Sequence, residues 1–173
     1  MNNVLIVSDS HGLTKELEAI KERHQVEKRI HCGDSELPSD AASLHGYLTV
    51  KGNCDWQATF SEEHIIEIGG LRFLVTHGHL NDVKSTLLPL QYRAQEVQAD
   101  IVCFGHTHIA YAEKIGEQLF LNPGSLRLPK YFNIPSYVIV SWEYPTDVTI
   151  TFYYLNGDVI TKFPYEKYFF IKK

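Results

Sequence analysis

Five short stretches of this sequence carry cation-binding residue types, each beside a glycine: S-D-S-H-G at 8–12, C-G-D at 32–34, G-N-C-D at 52–55, T-H-G-H at 76–79 and G-H-T-H at 105–108. Aspartate, histidine and asparagine together offer carboxylate, imidazole and amide donors. That mixture suits Mn²⁺, Fe²⁺ or Zn²⁺ and is too rich in imidazole for Ca²⁺. Structural zinc sites commonly use paired thiolates, and the 3 cysteines here form no C-x-x-C. Singly the stretches are weak, since D-x-H arises by chance, Asp34 alone could cap a helix and His77 alone could be an interior histidine. Their weight comes from position: each follows an apolar run.

Those runs define the elements that must place the polar residues. Residues 4–7 (V-L-I-V) are short and β-branched, as in a strand buried on both faces. Beyond Gly12, Leu13, Leu17 and Ile20 recur at helical spacing among Lys and Glu, which predicts an amphipathic helix. Further strands are expected at 29–32 and 47–50, with a short helix at 40–44 between them. Strand and helix alternation implies a mainly parallel sheet. Residues 64–68 and 71–75, joined by G-G, predict a hairpin. A helix is expected between Asp82 and Gln98, interrupted or kinked at Pro89. Residues 101–104 form another short apolar run, and runs at 118–121, 136–142 and 148–155 make the tail mostly β. The expected fold class is α/β, with one domain over 1–173: a two-sheet β-sandwich flanked by helices. Ligands of open α/β sheets bind beyond the carboxyl ends of the strands, so five such ends would converge on one patch.

Bulk properties narrow the setting. A chain of 173 residues, 44% hydrophobic and 21% charged, suits one domain with a real core. No apolar stretch approaches a bilayer span, and the M-N-N-V start lacks the basic region and cleavage site of a signal peptide. An odd set of 3 cysteines fits reduced thiols, and a cytoplasmic location is expected. A net charge of −5 argues against an extended nucleic-acid-binding face. The charge is uneven: up to His108 there are 9 Lys+Arg against 15 Asp+Glu, and from Ile109 onward 7 against 6. All 9 histidines fall at or before His108.

The order D-x-H, G-D, G-N-x-D, a histidine before glycine, then G-H-T-H resembles the calcineurin-like metallophosphoesterases. The resemblance runs from residue 4 to about 125, with N-P-G-S at 122–125 matching a segment of the family's small bacterial and archaeal members. Length and the G-N-C-D variant look most like the compact YfcE-type phosphodiesterases, and the retromer subunit Vps29 is similar in fold. The resemblance implies two divalent ions about 3.5–4 Å apart that clamp a phosphoryl group and present a bridging hydroxide for in-line attack. Mn²⁺ is the first expectation, with Fe²⁺, Zn²⁺, Ni²⁺ and Mg²⁺ as alternatives. By the same mapping Asp34 bridges, Asp9, His11 and His108 complete one ion, and Asn53, His77 and His106 the other. Asp34, Asn53 and His77 are then the groups nearest the reaction. The implied substrate is a small phosphodiester or a nucleotide. The alternative is a Vps29-like non-catalytic scaffold that binds a protein and retains the metal site.

One position departs from the family. Where many members read G-N-H, with a histidine thought to protonate the leaving oxygen, this chain has Cys54, a thiol with little use as an imidazolium substitute. Efficient cleavage of simple alkyl phosphates is therefore in doubt, whereas diesters with better leaving groups stay open. Asp55 could orient a ligand or stabilise a turn; His79 could touch substrate; Ser125 or its neighbouring amides could meet phosphate or simply close a turn. Arg127 and Lys130 could add positive charge. Cys32 and Cys103 are expected as small buried hydrophobes, His31 as a packing or hydrogen-bonding residue, and His24, His45 and His64 at surfaces or helix ends. The aromatic tail (Phe152 to Tyr154 and 165–171) could finish a sheet or make a homo-oligomer contact.

Overall fold

The structure, a computed structural model, describes residues 1–163. The apolar run at the start becomes β1 (Asn2–Val7), followed by α1 (Lys15–Arg23), β2 (Lys28–His31) and β3 (Leu48–Thr49). Then come β4 (Glu63–Ile68), β5 (Leu71–Thr76), α2 (Leu88–Glu96) and β6 (Ile101–Cys103). The chain continues through β7 (Ala110–Ile115), β8 (Gln118–Pro123), β9 (Ser136–Trp142) and β10 (Val148–Tyr154). One sheet runs β10-β9-β1-β2-β3 and the other β4-β5-β6-β8-β7. The strands that lead into the polar stretches pair in parallel: β1 with β2, β2 with β3, and β5 with β6. Both sheets are nevertheless mixed and not mainly parallel as expected, because β9, β10, β4 and β7 pair antiparallel at the flanks.

The two-residue period of β1 sorts its side chains between two cores. Val4 and Ile6 join Ile30, Val50, Phe73, Val75, Ile101 and Leu121 in the layer between the sheets. Leu5 and Val7 face outward under Leu17 and Ile20 of α1. On the second sheet, Leu74, Val102 and Phe120 are covered by Leu90 and Ala94 of α2. Cys32 and Cys103 lie in the inter-sheet layer at 0% exposure, as their apolar neighbours in sequence suggest. Burial pushes the pKa of both thiols up, which keeps them neutral.

Several local expectations change. Pro89 does not break a helix; it sits in the first turn of α2, where no intrahelical bond needs its missing N–H. The helix begins only at Leu88 because Asp82 is left-handed (φ +52°) and folds residues 82–86 into turns, with Ser85 Oγ donating to Asp82 Oδ1. The helix expected at 40–44 is a single 3₁₀ turn, Ala42–Leu44, and the third strand shrinks to two residues. β7 is an addition; its A-Y-A-E-K-I lacks the β-branched density of the other strands, and it is held by antiparallel pairing to β8. The G-G hairpin is as expected, with Ile68 paired to Leu71 and positive φ at both glycines. Phe152 to Tyr154 finish the first sheet at its β10 edge, with Phe152 in the inter-sheet core. Residues 165–171 lie outside the described residues.

Candidate metal centre

Backbone hydrogen bonds zip the loops beyond the strand ends together. Asp9 N–H donates to the Gly33 carbonyl (3.0 Å), His11 N–H to Asp34 (3.0 Å) and Gly12 N–H to Ser35 (2.8 Å). Gly105 N–H donates to the His77 carbonyl (3.1 Å), and His106 N–H to Asp9 Oδ2 (3.2 Å). Two glycines are fixed by the closeness of this contact. A Cβ at Gly52 would lie 2.0 Å from Asp34 Oδ1, and one at Gly105 would lie 2.0 Å from Ser8 Oγ and 2.6 Å from Asp9 Oδ2.

The loops share an unusual backbone. In D-S-H, D-S-E and H-T-H the outer residues are all left-handed: Asp9 and His11, Asp34 and Glu36, His106 and His108 have φ between +42° and +67°. Each such residue costs on the order of 1 kcal/mol or more, so the surrounding bonds must hold them there. Asp55 supplies four of those bonds. Its Oδ2 accepts the amides of Asp34 (2.8 Å) and Gly52 (2.7 Å), and its Oδ1 those of Glu36 (2.8 Å) and, more weakly, the Ser35 hydroxyl (3.4 Å). Asp55 thus closes its own turn and fixes the backbone of Asp34.

The hydrogen-bond partners decide which histidine nitrogens face inward. Nδ1 of His77 donates to the Cys32 carbonyl (2.7 Å), Nδ1 of His108 to the Leu128 carbonyl (2.8 Å), and Nδ1 of His11 to Glu36 Oε2 (2.7 Å). In a neutral ring each Nε2 then presents a lone pair. His77 Nε2 lies 3.2 Å from Asp34 Oδ2 and 3.0 Å from Asn53 Oδ1. The Asn53 amide is turned that way because its Nδ2 donates to Cys54 Sγ (3.4 Å). His108 Nε2 lies 3.2 Å from His11 Nε2 and 3.1 Å from Asp9 Oδ1, an oxygen with no exposure and no donor of its own. Acceptors therefore point at acceptors. Only a proton or a cation between them makes such a cluster favourable, so the donor set fits a divalent ion.

Among the described residues three groups are compact enough to hold an ion: Asp9–His11–Asp34–His108, then Asp34–His77–His106, which shares Asp34 with the first, and His11–Glu36–Cys54 on the outer side of His11. Asn53 Oδ1 adjoins the second through His77. A proton on Nε2 of His77 or His108 can play the cation's part, turning the ring into a donor toward Asp34 or Asp9. Burial opposes charge on Asp9, but the hydrogen bond from His108 and the charge of His77 outweigh it and keep the carboxyl below its usual range. Asp34 is likewise held low: burial acts upward, and the hydrogen bond and charge of His77 with the Cys54 amide prevail. His77 and His108 are raised despite burial, by Asp34 and Asp9 respectively. His106 is pushed down to about 4 by burial and then by the charge of His77, so its ring is neutral and free to donate electrons at ordinary pH.

The remaining sequence candidates divide. His79 lies tilted beside His77 and His106, with ring centroids 5.3 and 6.1 Å away, so it borders the same group. Ser125 is turned inward: its hydroxyl donates to the Asp9 carbonyl (2.7 Å) and accepts the amides of Arg127 and Leu128. Asn122 is also spent on the scaffold, bonding Gly105, Thr107 and Gly124. Arg127 Nη1 donates to the His11 carbonyl, and the Lys130 amide to that of His108. His24 is half-buried against the Tyr137 hydroxyl (2.8 Å). Glu36 was not singled out from the sequence. Its signal was available: it follows Asp34 by two, as His11 follows Asp9 and His108 follows His106. A carboxylate on the outer nitrogen of a metal-facing imidazole fixes its tautomer and raises its basicity. Glu36→Gln should weaken Mn²⁺ binding about 10- to 100-fold, read by calorimetry, with kcat at saturating metal close to that of the parent.

His31 carries a second expected outcome. It is fully buried, donating from Nε2 to Ser10 Oγ (2.8 Å) and accepting the Gly33 amide at Nδ1 (3.1 Å), so both nitrogens are committed to the neutral ring. Burial pushes its pKa down to about 4, and Asp55, Asp9 and Asp34 only partly counter it. With the folded pKa below the unfolded one, this stability is complete above pH ~6.5 and drains away as pH falls toward ~4. Urea midpoints of metal-stripped protein should show about 2 kcal/mol of this loss at pH 5. His31→Gln should flatten that part of the slope.

The chain matches the calcineurin-like phosphoesterase superfamily domain over residues 2–144. It belongs to that family. A probable metallophosphoesterase of Bacillus subtilis, YsnB, is 48% identical over 160 residues, covering 91% of this chain and 94% of its own. The crystal structure of a conserved predicted phosphoesterase from Streptococcus pneumoniae superimposes with a TM-score of 0.89 at 33% identity, covering 96% and 95% of the two chains. The phosphodiesterase YfcE of Escherichia coli is 33% identical over 108 residues, 54% of this chain and 51% of its own. Zinc-bound Vps29 of Entamoeba histolytica shares the fold, with a TM-score of 0.71 at 21% identity over 91% and 96% of the chains. The protein is thus a metallophosphoesterase-type hydrolase of α/β fold, with residues that could hold divalent metal. Among the described residues no helix is long and apolar enough to cross a membrane.

Proposed function

We propose that the chain is a dinuclear metal-dependent phosphodiesterase, one metallophosphoesterase domain over residues 1–173 that works in the cytoplasm. The observation that carries this reading is the Asp34 carboxylate, which two of the candidate ligand groups share. Asp34 would bridge, with Asp9, His11 and His108 on one ion and Asn53, His77 and His106 on the other. Two such ions supply Lewis-acid polarisation of a phosphoryl group and a hydroxide at neutral pH for in-line displacement. Mn²⁺ suits the mixed nitrogen and oxygen donors best, with Fe²⁺, Zn²⁺, Ni²⁺ or Mg²⁺ as substitutes.

The protein's own contribution is position and charge. Seven donors bring only two negative charges, from Asp9 and Asp34, because Asn53 donates through a neutral amide. Two divalent ions would leave the centre net positive, which draws in a phosphodiester anion. His79 lines the approach. The choice of diesters rests on Cys54, which leaves substrates with better leaving groups as the ones served, and on the likeness to a phosphodiesterase in E. coli. A small diester or a nucleotide fits the site better than extended nucleic acid, given the net charge of −5. The 3 free cysteines suit a reducing compartment. The scaffold reading gains the fold likeness to Vps29, but no proposed ligand is missing and no feature of the site favours it.

Hydrolysis of p-nitrophenyl phosphate and bis-p-nitrophenyl phosphate by metal-stripped protein, before and after adding Mn²⁺, tests the proposal. Turnover should require metal and favour the diester. Metal binding with no turnover of either ester would transfer the argument to the scaffold.

A further inference from the structure

The loop that carries Asn53 ends in a tryptophan that takes no part in the core. Trp56 is 85% exposed, whereas Trp142, the other tryptophan, is 1% exposed. A single exposed apolar side chain needs no explanation by itself. Two further observations set Trp56 apart. First, it projects from rigid backbone: Asp55, its neighbour, ties down Gly52, Asp34 and Glu36, while Asp55 N–H donates to the Gly52 carbonyl (3.2 Å) and Ala58 N–H to that of Asp55 (3.3 Å). An indole on such a loop is pre-organised and loses little entropy when a flat partner settles on it.

Second, Trp56 borders a cavity of about 290 Å³ beside the candidate metal centre. Glu36 and Cys54 belong both to this cavity and to the group around His11, so the two spaces adjoin. Leu37 and Pro38 give the cavity apolar walls, and Gln57 with Glu36 supplies amide and carboxylate oxygens at its margin. The volume suits one ring system, at the small end of ligand pockets. Apolar walls, an indole face and a few polar groups are what a planar heterocycle with hydrogen-bonding edges requires.

We propose that this cavity is a subsite for a nucleobase on one arm of the phosphodiester, stacked on Trp56, and that Trp56 determines specificity for base-bearing substrates. The inference rests on the phosphodiesterase reading of the adjoining centre and narrows its substrate class to nucleotides. Base-on-aromatic stacking is worth about 1–3 kcal/mol, so the preference conferred should be about tenfold.

The test compares AMP with ribose 5-phosphate, which share the phosphate and sugar and differ in the base. Calorimetry on Mn²⁺-loaded protein should give AMP the tighter binding by about tenfold. AMP should also quench the exposed Trp56 fluorescence, with buried Trp142 as the unaffected background. Trp56→Ala should erase the preference while leaving ribose 5-phosphate within about twofold, and Trp56→Phe should keep most of it. Equal binding of the two probes to the parent protein, or equal weakening of both by Trp56→Ala, overturns the subsite. Bis-p-nitrophenyl phosphate turnover measured on the same sample separates the two claims. Turnover without an AMP preference removes the subsite alone; an AMP preference without turnover removes the enzyme reading and leaves the ring site.

Discussion

Asp34→Asn lowers metal-dependent turnover by about 10³-fold or more, while the protein stays folded. The change is isosteric, and the hydrogen bonds around it explain the split outcome. Asp34 Oδ1 accepts the Cys54 amide (2.8 Å), which an asparagine oxygen can still do. The new NH₂ then faces His77 Nε2, which lies 3.2 Å from Oδ2 in the parent, and donates to it once that ring is neutral. This neutral hydrogen bond replaces the charge-assisted one that His77 makes to Asp34 without metal, so the metal-free variant should stay folded and be somewhat less stable than the parent. What is lost is the charge and second oxygen that let one carboxylate serve both ligand groups. Thermal denaturation and Mn²⁺ calorimetry on the same sample check both halves. Parent-like rates in the purified variant would show that Asp34 does not bridge.

Cys54→His raises turnover of alkyl phosphodiesters by about 10²-fold or more and that of p-nitrophenyl esters far less. Cys54 stands half-buried beside the centre, its amide on Asp34 and its sulfur accepting from Asn53. Burial, with the charge of Asp34 behind it, pushes its pKa up to about 11. The thiol is therefore neutral at ordinary pH and is a weak acid. Histidine there would place a titrating N–H beside the leaving oxygen. A p-nitrophenolate leaves without help, so only the poor leaving group should respond. Equal gains on both substrates would remove the general-acid explanation.

Much of this was legible in the sequence because buried strands announce themselves. The V-L-I-V of β1 and the I-V-C of β6 are fixed by apolar burial, and the polar residues after them could be assigned to one patch before any coordinates. The bringing together of residues 9, 11, 34, 53, 77, 106 and 108 follows from parallel pairing of those strands. Less legible were features set by partners far away in the chain. β7 exists because β8 pairs with it, and α2 starts late because one aspartate turns left-handed. Glu36 and Ser125 act through backbone and imidazole atoms that only the fold brings near. Pro89 is the opposite case, a residue whose meaning depends on whether it falls in the first turn of a helix or in its middle.

The central claim is that one carboxylate joins two ions. Anomalous diffraction from crystals soaked in Mn²⁺ tests it most directly. Two peaks per chain are expected, about 3.5–4 Å apart on either side of Asp34, one facing Asp9, His11 and His108 and the other Asn53, His77 and His106. A single peak at saturating Mn²⁺, or two peaks that leave Asp34 uncoordinated, would contradict it.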